Sequence, residues 1–351
     1  MAASGITVAL SGARKTDMVR LGTLLDYTLW PGLLGASCLG LGVGIAHGRG
    51  PLAFNVAYLG LALALYCLER IRPHETEWLK SDGQEIPDLA HTVFTKISVQ
   101  ITVVALANLG IAEQFGSRGG SSVWPLAWPL AAQVTLGLVA AEFGLYWAHR
   151  LAHVWLPLWR FHAVHHSSVR LWFFNTGRFH FVDTLKSMVF AVPILVLAGA
   201  PGDVIIWVSG LTAFIGILTH CNVRMRFGWL NLVFNTPGLH RWHHSMDLRE
   251  GNKNYGENLV LWDLLFGTYF NDARRTPPAK IGIRDAMPAT YLGQVLAPFV
   301  WERYQNRKKP LGLHPTHQSG PAREPRRPLR PANDDSHSTQ AAEPRLGDAG
   351  S

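Results

Sequence analysis

PLAWPLAAQVTLGLVAAEFGLYWAHRLAHVWLPLWRFHAVHH, residues 125–166, joins an apolar run to five histidines. The run from Pro125 to Trp147 is long enough, at about 1.5 Å per helical residue, to cross a hydrocarbon core. It leads directly into His149 and His153, one helical turn apart, and Pro157 is expected to end that helix. His162, His165 and His166 follow at three- and four-residue spacing, which stacks side chains on a helix. The string H-x-x-H-H returns as His240, His243 and His244 in HRWHH. With histidine at 16 of 351 positions, two such strings arise by chance with a probability on the order of one in a thousand. One zinc needs about three or four ligands, whereas eight imidazoles suffice for two ions with positions left for oxygen or substrate. A dinuclear site is the reading.

Outward from this stretch, the composition is that of an integral membrane protein: 48% hydrophobic, 16% charged, with 13 tryptophans. Tyr27 to Ala46 and Pro51 to Leu68 are predicted spans joined by a tight reversal. A third run extends from near Thr92 to Ala112 with Lys96 at its start, and a Gly- and Ser-rich link, Glu113 to Trp124, connects it to the fourth. Phe181 to Ala200 and Val204 to Thr219, separated by Ala-Pro-Gly-Asp, form a hairpin that either crosses the bilayer or dips in and returns. Both of its ends then emerge on one side, so all three histidine groups share a face. The predicted architecture is all-α: about four spanning helices, a short apolar helical hairpin and a cytosolic helical cap carrying the histidines. Residues 1–25 form a cytosolic N-terminal segment, 26–305 the membrane domain, and 306–351 a basic, Pro-rich disordered tail holding His314, His317 and His337.

Charge selects the face. Arg14, Lys15 and Arg20 precede the first span and Arg70, Arg72 and Lys80 follow the second, against Arg49 and Arg118 in the opposite turns, so the histidines are expected at the cytoplasm. The basic N-terminus precedes a stretch too long for a signal-peptide core and reads as a retained anchor. The net charge of +8 is dispersed along one membrane face, which suits anionic headgroups and argues against nucleic acid. Cys38, Cys67 and Cys221 show neither pairing nor metal spacing.

Crowded imidazoles cannot all be charged, and the neutral form is the ligand form. His220, ending the sixth apolar run, is a candidate ninth ligand or a helix-terminal histidine interacting with the dipole. His180 suits a supporting or substrate-channel role, with metal ligation as the alternative, while His47, His74 and His91 lack partners at helical spacing. Asp183, Asp247, Glu250, Glu257 and Asp263 are candidates to receive the second ring N–H of ligating histidines. Surface pairing is the alternative for Asp247 and Glu250. Asn258 with Glu257 either orients water or oxygen or makes a plain turn, and Trp242 is expected to pack.

HRLAH, HAVHHSS and HRWHHS, followed by GNKNYGENLVLWDLLFGT, resemble the fatty acid hydroxylase/sterol desaturase superfamily of membrane di-iron enzymes across Glu142 to Tyr269. The likeness is greatest to its bacterial sterol-desaturase-like and alkylglycerol monooxygenase branches. The resemblance implies an oxygen-dependent reaction at a lipid C–H bond, two iron ions, O2 as co-substrate and external electrons. It also implies that His149, His153, His162, His165, His166, His240, His243 and His244 are the ligands. His220 matches a position where many members carry a further histidine, but Gly216 stands where some relatives have another, and His180 is followed by Phe181 rather than proline. Imidazole suits iron, zinc and copper alike, so zinc is a possible substitute in isolated protein.

The expected partners are a bilayer lipid and a separate electron donor, whether a reductase, a ferredoxin or a b-type cytochrome. Arg170, Arg178, Arg224 and Arg226 are candidates to meet the lipid headgroup or to set topology. Hydroxylation, desaturation and ether cleavage begin with removal of the same kind of hydrogen. Two other classes gather histidines: a metal-binding or metal-transport protein, which places ligands along a path through the spans, and a haem protein, which needs paired histidines on facing helices.

Overall fold

The computed structural model describes residues 2–108 and 123–307. Helices α1 (Ala2–Ala46), α2 (Gly50–Ile71), α3 (Glu85–Asn108), α4 (Leu130–Val154), α5 (Leu156–His166), α6 (Phe181–Ala198) and α7 (Gly202–Thr219) form the body. Shorter helices follow: α8 (Pro237–His243), α9 (Leu248–Gly251), α10 (Leu261–Leu265), α11 (Tyr291–Leu296) and α12 (Trp301–Arg307). Among the described residues there are no strands, only isolated bridges such as Phe234 with Leu259. The protein is an all-α membrane protein.

Among the described residues, five helices are long and apolar enough to cross a membrane: Gly22–Ala46, Gly50–Ile71, Leu130–Val154, Phe181–Ala198 and Gly202–His220. Both hairpin arms are among them, so the pattern differs from four spans plus a minor hairpin. The expected third span is not. Its helix, α3, starts earlier than the apolar run and takes in Glu85 and Asp88, and the run's last residues, with most of the link 113–124, lie outside the described residues. So does the predicted tail, apart from Asn306 and Arg307, which end α12.

Small residues let the spans approach. A Cβ on Gly44 would collide with Ala53 between α1 and α2, and one on Gly144 would run into the Phe190 carbonyl between α4 and α6. Gly199, at φ 79°, ends α6 in the left-handed conformation that glycine adopts without penalty, and Pro201 precedes α7. Trp30, Leu41, Leu65 and Phe214 bind α1 and α2 to α7, while Leu138, Leu145, Leu195 and Val208 join α4, α6 and α7.

Pro157 does not end the helix of His149 and His153. That helix closes at Val154, Trp155 is extended, and Pro157 occupies the first turn of α5, where its missing N–H is not needed. This corner turns α5 back over the end of α4. The start of α6 and the end of α7 arrive at the same place, since Asp183 reaches α5 and His220 reaches α8. The hairpin therefore delivers both its ends to the histidines.

Candidate metal centre

Among the described residues, nine buried histidines converge in two adjoining groups. His149, His153, His162, His166 and His243 make the first, and His165, His220, His240 and His244 the second, with one ring nitrogen from each residue within 4.8 Å of those of its group. The division follows helix geometry. Pairs four residues apart stay together, as 149/153, 162/166 and 240/244, whereas the middle histidine of each H-x-x-H-H string crosses over: His165 to the second group and His243 to the first. Each string thus serves both groups rather than forming its own three-nitrogen patch. The rings of His166 and His244 stack across the boundary at 4.3 Å.

The far ring nitrogens fix the tautomers. Nδ1–H of His149 donates to the Tyr255 carbonyl at 2.8 Å and that of His243 to the Lys253 carbonyl at 2.7 Å. His162 Nδ1 donates to Asp183 Oδ2 at 2.8 Å, His153 Nδ1 to Asn252 Oδ1 at 3.2 Å, and His220 Nδ1 to Asn175 Oδ1 at 3.1 Å. A carbonyl or carboxylate only accepts, so Nδ1 carries the proton and the Nε2 lone pair is left facing inward.

Those inward atoms are what fit a cation. Nε2 of His149, His162 and His243 is buried without a hydrogen-bond partner, at a cost of about 1–3 kcal/mol for each buried group left unsatisfied. Nε2 atoms also face one another, His153 to His166 at 3.1 Å, His220 to His240 at 2.9 Å and His240 to His244 at 3.0 Å. A metal ion in each group would use every such lone pair.

Outside the spans, burial and then the neighbouring imidazoles hold His165, His166, His240 and His244 well below the ordinary 6.5. Burial brings His243 to about 3, and it lowers His162 against the pull of Asp183. These rings are neutral near pH 7, as ligation requires.

The remaining candidates separate. Asp183 is at the centre, bridging His162 and Lys186, whose Nζ lies 2.6 Å from Oδ1. Asp263 accepts from the backbone of Tyr255 and Gly256 at 2.8 and 2.7 Å, steadying the carbonyl that holds His149. Asp247 pairs with exposed Arg249, and Glu250 with Ser245 and Arg275. His180 caps α6 and donates to the Val295 carbonyl. Asn258 lies against Glu142, whose carboxylate accepts from its backbone and side-chain nitrogens and from the Glu257 N–H. Burial raises the Glu257 carboxyl to about 7. Trp242 is packed on Phe270. Of the arginines expected at a headgroup, Arg170 and Arg178 are instead buried in ion pairs with Asp82, Glu85 and Asp88, while Arg224 and Arg226 are exposed beside Asp26.

Sequence reasoning missed Glu142, Asn175, Asn252 and the carbonyls of Lys253 and Tyr255. Backbone acceptors leave no mark in residue identity, although the NKNYGEN string was a visible signal that the segment after the third cluster matters.

Helical spans carrying two adjoining buried groups of imidazoles define a membrane protein with a histidine cluster that could hold metal ions. The fatty acid hydroxylase family model matches residues 134–268, a range that holds all nine histidines, and the chain belongs to that family. It is 47% identical over 300 residues to the ornithine lipid hydroxylase OlsE of Rhizobium tropici, covering 84% of this chain and 89% of that one. It is also similar to alkylglycerol monooxygenases: 26% identical to that of Danio rerio, over 65% of this chain and 51% of that protein. Against the Homo sapiens enzyme it is 31% identical, over 37% and 29%. No solved structure matches the chain.

Proposed function

We propose that this protein is a membrane-bound di-iron monooxygenase that hydroxylates a C–H bond of a membrane lipid, with an amino-acid lipid of the ornithine type as its substrate class. The observation that carries the reading is the convergence of nine buried imidazoles in two touching groups, with Nε2 of His149, His162 and His243 unpartnered and those of His153, His166, His220, His240 and His244 facing one another. His149, His153, His162, His166 and His243 would hold one ion, and His165, His220, His240 and His244 the other. Iron bound there supplies the oxidising power toward dioxygen and an unactivated C–H bond that side chains lack. The protein's own part is positional. The Tyr255 and Lys253 carbonyls, Asn252, Asn175 and Asp183 hold five rings in the Nδ1–H tautomer, and burial keeps water out.

Hydroxylation consumes RH, O2, two electrons and two protons and yields ROH and water, so a separate reductase, ferredoxin or b-type cytochrome completes the system. The names of the relatives support hydroxylation over desaturation, which starts from the same hydrogen removal. Arg70 and Arg72 at the cluster end of α2, against Arg49 in the opposite turn, support a cytoplasmic metal centre.

Expression in a bacterium that makes ornithine lipid, with its electron carriers intact, should yield a lipid species heavier by one oxygen, and His243→Ala should abolish it. Purified protein should carry two irons per chain and no haem absorption band. An unchanged lipid profile from iron-loaded protein supplied with reductant would overturn the hydroxylase reading.

A further inference from the structure

The run after the metal centre, Thr290–Val300, presents large apolar side chains on the face turned away from the protein. Leu292, Leu296, Phe299 and Val300 are 69%, 58%, 60% and 42% exposed. They fall at i, i+4, i+7 and i+8, one stripe of a helical run through α11 and the turn Ala297–Val300.

The opposite face is locked down, so this exposure is not that of a fraying end. Gln294 is fully buried, donating to Gln84 Oε1 at 2.8 Å and the Pro288 carbonyl at 2.9 Å, and it meets His91 Nε2 at 3.0 Å. His180 Nε2 donates to the Val295 carbonyl at 3.1 Å, and Ala297 and Trp301 are buried. Two histidines outside the metal groups thus fasten this run to α3 and to the start of α6. A run pinned along its inner face that presents a row of large apolar side chains outward is not stable with that row in water.

We infer that Thr290–Val300 is a membrane-surface anchor whose outer row, Leu292, Leu296, Phe299 and Val300, is buried among the acyl chains of the leaflet beside the metal centre. Continuity identifies lipid as the occupant. Phe299 packs on Phe161 and His180 at ring distances of 5.4 and 5.9 Å, and His180 is followed at once by the exposed Phe181 and Leu185 of spanning helix α6. On the other side Tyr291 stacks on exposed Phe94 of α3 at 5.4 Å. The row therefore extends the lipid-facing surface of a span. Arg303, exposed and one turn beyond Phe299, is placed to bring its guanidinium to phosphate headgroups.

The test places an environment-sensitive NBD fluorophore on Leu296→Cys in the full chain carrying Cys38→Ala and Cys67→Ala, reconstituted in phosphatidylethanolamine/phosphatidylglycerol vesicles. Retained metal content confirms that the fold is intact. The expected result is blue-shifted emission, quenched by lipids bearing an acyl-chain nitroxide and insensitive to aqueous iodide. The same probe on Glu302→Cys should be quenched by iodide. Iodide quenching at position 296 would overturn the inference, because the row would then face water. Protection from both quenchers would overturn it too, because a second protein surface would then cover the row.

Discussion

Among the described residues, Asp183 is the single carboxylate hydrogen-bonded to a clustered histidine; the other fixed rings rest on carbonyls or amides. It is also the anchor for Lys186, an ammonium group buried at the start of a spanning helix. Asp183→Asn keeps the shape but removes the charge that orients and polarises His162. Loss of such an outer partner typically weakens metal affinity by about 10- to 100-fold. The expected result is iron content that falls in Asp183→Asn under limiting iron and stays unchanged in Asp247→Asn, whose carboxylate meets only Arg249 at the surface. Equal iron retention in both variants would remove Asp183 from the metal centre.

At the scale of elements, the decisive contact is between α4, which carries His149 and His153, and α6, which carries Asp183. Gly144 permits it, since any side chain there meets the Phe190 backbone. Overpacking of this kind costs typically about 1–3 kcal/mol, and here the obstacle is main chain. Gly144→Val should lower the unfolding temperature in detergent and reduce bound metal together, because the same displacement carries Asp183 from His162. Gly48→Ala, in the α1–α2 turn with open space around it, should leave metal content unchanged although its positive φ adds local strain. Apolar run length made the spanning part of α1 and α2, α4, α6 and α7 legible in the sequence. The extent of α3 was not, because its polar first turns are held by buried partners, Asp88 by Arg178 and His91 by Gln294, that lie far away in the chain.

For the whole molecule, the two histidine groups join α4, α5, α7 and α8, so ions bound there would act as a staple across these helix ends. Ions that bind only the folded state stabilise it by about 2.7 kcal/mol when present at 100 times Kd. Chelation should therefore lower the unfolding temperature, and re-addition of iron or zinc should restore it, since imidazole accepts both. Identical unfolding temperatures for chelated and reloaded protein would mean that the inward Nε2 atoms do not bind metal.

The amino-acid sequence alone determined the membrane character, the helical class and eight of the nine clustered histidines, because apolar run length and i, i+4 spacing are local properties. Which histidines share a group was decided only in three dimensions. A helix turns about 100° per residue, so His162 and His165, or His240 and His243, point to different sides, and whether those sides are filled depends on which helix packs there. The tertiary structure likewise decided the partners of the Nδ1 atoms. A backbone carbonyl becomes a histidine's partner only when the chain folds back over it, and no residue type announces that.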